Sequence, residues 1–84
     1  MQLYMRGARE VEAVRYDGSE RSARDVSYLK DCLVSFRPDY SAQVATTFGR
    51  KTLVSGQWLT RDRATGACRV WDDGDFHVEH TKVG

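Results

Sequence analysis

The apolar period of this chain switches from helical to two at Val34, and that switch limits what it can fold into. Ala23, Val26, Leu29 and Leu33 recur at helical spacing, with Cys32 beside the stripe. From Val34 the period is two: Val34 and Phe36 alternate with Ser35 and Arg37, and Val44, Thr46 and Phe48 take up the same pattern. A helix with one apolar stripe has to lay it on a surface, and the strands that follow supply one. Ser22 is the expected N-cap, with Asp25 three residues on in the acidic place of a capping box. Arg24, Lys30 and Asp31 are expected to face water.

Turn residues divide the remainder. Glu10 to Tyr16 is expected to be a strand with apolar positions on both faces, stopped by Asp17-Gly18. Pro38-Asp39 ends the Val34–Phe36 strand, because proline fixes φ and donates nothing to a ladder. Ala42 to Phe48 follows as a strand, then a Gly49-Arg50-Lys51 turn, a short apolar Thr52–Val54, and Ser55-Gly56-Gln57 turning into Trp58–Arg61. Asp62 to Ala67 has the composition of a hairpin loop, with Gly66 free to take positive φ, and Cys68–Trp71 returns. Asp72-Asp73-Gly74-Asp75 is expected as an exposed acidic turn, and Phe76–Thr81 as a last short strand or turn of helix. The opening residues, 1–9, mix charge with apolar side chains and are expected to be partly frayed. The 84 residues make one domain, 1–84. Its class is α+β: a curved, mostly antiparallel sheet or small partly open barrel of about five short strands, with one helix packed on it.

Net charge argues against two modes of action and leaves room only for a local patch of either sign. Thirteen basic residues against twelve acidic ones leave a net charge of +1. That is too little for whole-molecule attraction to DNA and the wrong sign for a DNA mimic. Arginine outnumbers lysine ten to three, which fits a GC-rich coding sequence. No apolar run approaches the ~18 residues of a membrane span, and Met1 to Glu10 has no hydrophobic signal region. The expected setting is therefore cytoplasmic, with Cys32 and Cys68 as two reduced thiols and a disulfide between them as the less favoured alternative. A domain this small buries only about 60–65% of its unfolded surface, so a partner, or a homodimer, matters to it.

Candidate chemistry is sparse. His77 and His80 are the only histidines, and zinc needs three or four converging ligands; Cys32 and Cys68 lack a CxxC-type spacing to complete them. No metal is expected, and the two histidines are expected to be exposed or half-buried. Asp72, Asp73 and Asp75 do not extend into an EF-hand pattern and suit a solvated turn or a contact for a basic partner. There is no GxSxG, P-loop or GxGxxG, and Cys68 beside Arg69 has the pattern of a strand cysteine facing the core. No catalytic residue and no cofactor is expected. Trp58 and Trp71 flank the hairpin that carries Arg61, Arg63 and Arg69. Trp58, near Leu59 and Val54, is expected in the core, whereas Trp71 suits core and surface equally. An exposed Trp71 with Arg61, Arg63, Arg69 and the three aspartates is the candidate partner-binding surface.

Several of these residues also carry a resemblance. Val11-Glu12-Ala13-Val14-Arg15-Tyr16-Asp17-Gly18, Val54-Ser55-Gly56-Gln57-Trp58-Leu59, Gly66, Val70-Trp71 and Phe76-His77-Val78-Glu79-His80-Thr81 resemble, in order and spacing, a family of small uncharacterised tailed-phage proteins. Gln57 stands where that family has Asp, and His80 where it has Tyr. The resemblance implies a phage or prophage product in a bacterial cytoplasm. Its expected role is a non-enzymatic binding module that inhibits or redirects a host protein, defence systems such as CRISPR effectors being typical targets. Two other classes stay open: nucleic-acid binding through the Arg61–Arg69 hairpin, and sequestration of a small ligand such as a nucleotide.

Overall fold

Two hairpins at opposite ends of the chain build the larger of two sheets. The computed structural model describes residues 2–30, 32–39, 41–46 and 48–83. Strands β1 (Gln2–Arg6) and β2 (Arg9–Arg15) pair antiparallel, with Tyr4 opposite Val11. Strands β6 (Trp58–Asp62) and β7 (Cys68–Trp71) form the second hairpin, and Gly66 takes φ +76° in its loop, where a side chain would be strained. Pairing of β2 with β6 joins the two, and β8 (Thr81–Lys82) closes the far edge, giving the order β7-β6-β2-β1-β8. The middle of the chain makes a separate three-stranded sheet, β3 (Leu33–Phe36), β4 (Ala42–Thr46) and β5 (Gly49–Leu53). Helix α1 (Glu20–Ser27) precedes it, and α2 (Asp73–Glu79) follows β7.

Register assigns each face of the five-stranded sheet to a different core. Val14 lies opposite Leu59, and Leu59 opposite Val70. This face packs against Val26 and Leu29 from the α1 region and Ala42, Val44 and Leu53 from the small sheet. On the other face, Tyr4, Val11, Ala13, Trp58 and Trp71 pack against Phe76 of α2. The sheet is thus a middle layer with both faces covered, which explains why Glu10–Tyr16 carries apolar residues at both parities.

Several expectations are corrected. Among the described residues the strands are eight in two sheets, neither closed into a barrel, and two helices are present rather than one. Residues 2–6 are not frayed; β1 is hydrogen-bonded on both sides, to β2 and β8. The N-cap of α1 is Ser19, not Ser22: Ser19 Oγ accepts the Ser22 N–H at 3.1 Å, and Ser22 is buried in the first turn. The first turn, Glu20-Arg21, has no apolar residue to announce it, so the start looked three residues later. Leu33 leaves the helical stripe altogether and is 74% exposed at the start of β3, while Phe48 is exposed beyond β4. Arg24 and Lys30 face water as expected; Asp31 lies outside the described residues. Gly49-Arg50-Lys51 is strand, and the acidic turn is the N-cap and first turn of α2.

The cysteines are not two separate thiols. Cys32 and Cys68 form a disulfide with their Cα atoms 5.9 Å apart. Cys68 pairs with Arg61 on the face that carries the small sheet, and the segment leaving α1 passes directly beside it.

Candidate functional site

Trp71 lies at the edge strand β7, opposite Trp58, and the two indoles share one face of the sheet. Trp58 is in the core as expected, stacked on Phe76 at 4.0 Å, with its indole N–H donating to Asp73 at 2.8 Å. Trp71 is also core, at 6% exposure, and its indole N–H donates to Thr60 Oγ1 at 2.9 Å. An exposed-tryptophan hot spot is therefore ruled out. What reaches the surface is the cationic rim of that ring: the Arg69 guanidinium lies 3.9 Å from its centroid and the Arg6 guanidinium 5.1 Å from it.

The hairpin arginines do not form one patch. Arg61 pairs with Cys68 and Arg69 with Thr60, so strand alternation sends Arg61 and Arg69 to opposite faces. Arg61 sits 3.0 Å from Glu12, and Arg63 3.1 Å from Glu10. The three aspartates begin α2. Asp72 accepts from Gln57 Nε2 at 2.9 Å. The Trp58 indole N–H holds the Asp73 carboxyl below the usual range, helped by His77 and Arg15. Asp75 lines a cleft of about 390 Å³ with Arg69, Trp71 and Glu79. Of the expected site residues, the fold joins Arg69 to Trp71 and sets Asp72 and Asp75 beside them.

Two residues enter the site that the sequence did not offer. Arg6 shares the Tyr4 and Trp71 face; the alternation Tyr4, Arg6 was the only signal, in a segment expected to be frayed. His80 follows α2 and is 7% exposed, its ring stacked on Phe76 at 4.3 Å and edge-on to Trp71 at 4.8 Å. His80 Nδ1 is 2.8 Å from the Phe76 carbonyl oxygen, so it carries the proton and donates. Nε2 is then an acceptor, buried and without a hydrogen-bond partner among the described residues. Burial pushes the His80 pKa down, and the charges of Arg6 and Arg69 push it further.

Arg6, Arg9, Thr60, Asp62, Arg69 and His80 line a cleft of about 220 Å³. Arg9 and Asp62 neutralise one another at 2.8 Å. A third cleft, of about 570 Å³, runs from Arg69 towards Phe48 in the β4–β5 turn and Lys51 and Thr52 of β5. Three depressions thus meet at Arg69, which has no carboxylate partner among the described residues. Among those residues, no three of the His, Cys, Asp or Glu side chains are grouped to hold a metal ion, and no helix is long and apolar enough to cross a membrane. Comparison with protein families, curated proteins and solved structures finds no match for this chain.

Proposed function

We propose that this domain is a non-enzymatic binding module whose contact surface is centred on Arg69. The observation that carries this reading is the Arg69 guanidinium, laid over the Trp71 ring, without a carboxylate partner among the described residues and at the junction of three clefts. A guanidinium pre-set on an aromatic face gives up little rotamer freedom when a partner arrives, and arginine and tryptophan are the side chains that dominate interface energetics. The resemblance to small tailed-phage proteins supports a bacterial host protein as the partner, inhibited or redirected by the contact. The proposed setting is a bacterial cytoplasm, and because disulfides persist in oxidising compartments, capture is run with the Cys32–Cys68 bridge oxidised and again with it reduced.

The test is affinity capture from host lysate with the wild-type chain, Arg69→Ala and Arg63→Ala. Arg69→Ala loses the captured protein, whereas Arg63→Ala, whose guanidinium is already matched by Glu10, retains it. Equal capture by all three removes Arg69 from the interface.

A further inference from the structure

We infer that the cleft bounded by Arg6, Arg69 and His80 is a binding site for a phosphomonoester group. The inference rests on Arg69 being the contact centre and names the chemistry it contacts.

The charge balance of the cleft comes first. Three arginines line it against one carboxylate, Asp62. Arg9 is matched to Asp62, leaving Arg6 and Arg69. Arg6 meets Glu79 only at 3.8 Å through Nε, with both side chains about half exposed, so that pair holds it weakly. Two guanidiniums over one indole provide many N–H donors to an oxyanion, and planar forks suit phosphate.

His80 then selects among oxyanions. Its Nδ1 proton is committed to the Phe76 carbonyl, so Nε2 offers a lone pair and nothing else. A buried acceptor without a donor is costly, and the ligand that relieves it must bring a proton. A phosphomonoester has its second pKa at about 6, so near neutrality part of it carries a P–OH. Sulfate and carboxylate carry no such proton at that pH. The arginines therefore recognise negative charge, and His80 discriminates phosphate from sulfate. Nε2 has almost no exposed surface, so the phosphoryl group reaches it with a shift of the surrounding side chains; Arg6, weakly paired, has least to lose.

The experiment is an NMR titration of the ¹⁵N-labelled full chain with inorganic phosphate and with sulfate at matched ionic strength. Adenosine monophosphate and a phosphoserine pentapeptide are then added to separate a small-molecule source from a protein one. Phosphate shifts the resonances of Arg6, Arg69 and His80 and binds about tenfold more tightly than sulfate. His80→Phe keeps an aromatic ring against Phe76 and brings phosphate affinity down to the sulfate level; Arg69→Gln weakens both anions. Equal affinities for phosphate and sulfate in the wild type, or unmoved Arg69 and His80 resonances, overturn the inference. If phosphate fails while capture still depends on Arg69, the phosphoryl chemistry alone is wrong. If phosphate binds while capture ignores Arg69→Ala, the partner reading is wrong and the anion site stands.

Discussion

At the scale of single residues, His80 has the most consequential surroundings. Its folded pKa lies below the ordinary 6.5, first because burial penalises the imidazolium and then because Arg6 and Arg69 repel it. As pH falls below 6.5, the unfolded chain binds a proton that the folded one refuses. Stability is therefore complete above about 6.5 and declines as pH drops from there towards the folded pKa. Urea unfolding at pH 7.5 and 5.5 gives a lower midpoint at 5.5, and His80→Phe flattens the difference. An equal decline in both proteins assigns the effect elsewhere. The sequence could not place His80, because Phe76 and His80 share a face in strand and helix alike but stack ring on ring only where residues 73–79 are wound as helix. Trp58 was legible from its apolar neighbours; Trp71 was not, because its burial depends on a helix drawn from the acidic segment beside it.

At the scale of elements, the entry to α1 is held by a small polar knot. Ser22 Oγ donates to Asp17 Oδ1 at 2.7 Å, the Ser19 N–H donates to the same oxygen at 2.9 Å, and the Asp17 N–H donates to Ser22 Oγ at 3.2 Å. Hydrogen bonding to its carboxylate, from the Ser19 side chain first, then the Ser22 side chain and the Ser19 N–H, lowers the Asp17 pKa from 3.8 to about 2. The stabilisation this expresses is present above about 3.8 and is lost as pH falls through about 2. Ser19→Ala removes the cap and costs about 1 kcal/mol. In an acid titration followed by circular dichroism, Asp17→Asn loses less helix signal than wild type between pH 4 and 2; superimposed curves sink the assignment. Elements announced by apolar alternation and turn glycine, β6, the loop with Gly66 and β7, fall where the sequence placed them. The end of β5 falls in the expected Thr52–Val54, but its first three residues, Gly49-Arg50-Lys51, resembled a turn because they carry no apolar side chain. The start of α2 resembled a turn because Asp and Gly are poor helix formers, although acids suit a first turn.

At the scale of the whole molecule, two cores share one sheet, and the Cys32–Cys68 bridge ties β7 of that sheet to the segment entering the small one. The class, α+β and mostly antiparallel, was legible from the change of period; the division into two sheets was not, because nothing local says that β2 skips the middle of the chain to meet β6. The bridge closes a separation of 36 residues, and the Cys32→Ala/Cys68→Ala variant is about 3–4 kcal/mol less stable on the chain-entropy account. Denaturant curves with and without reductant check this, and an unmoved midpoint means that the bridge adds nothing. The β2–β6 pairing has a consequence of another kind. The small sheet is a run of neighbours in sequence, but Val11 can meet Asp62 only after the whole middle of the chain has been drawn in. Loop-closure entropy has to be met before that contact returns anything, which slows folding relative to a chain of local contacts. Until β6 arrives, one side of β2 is a bare strand edge, so the first hairpin is where a nascent copy of this protein is most open to sticking to another.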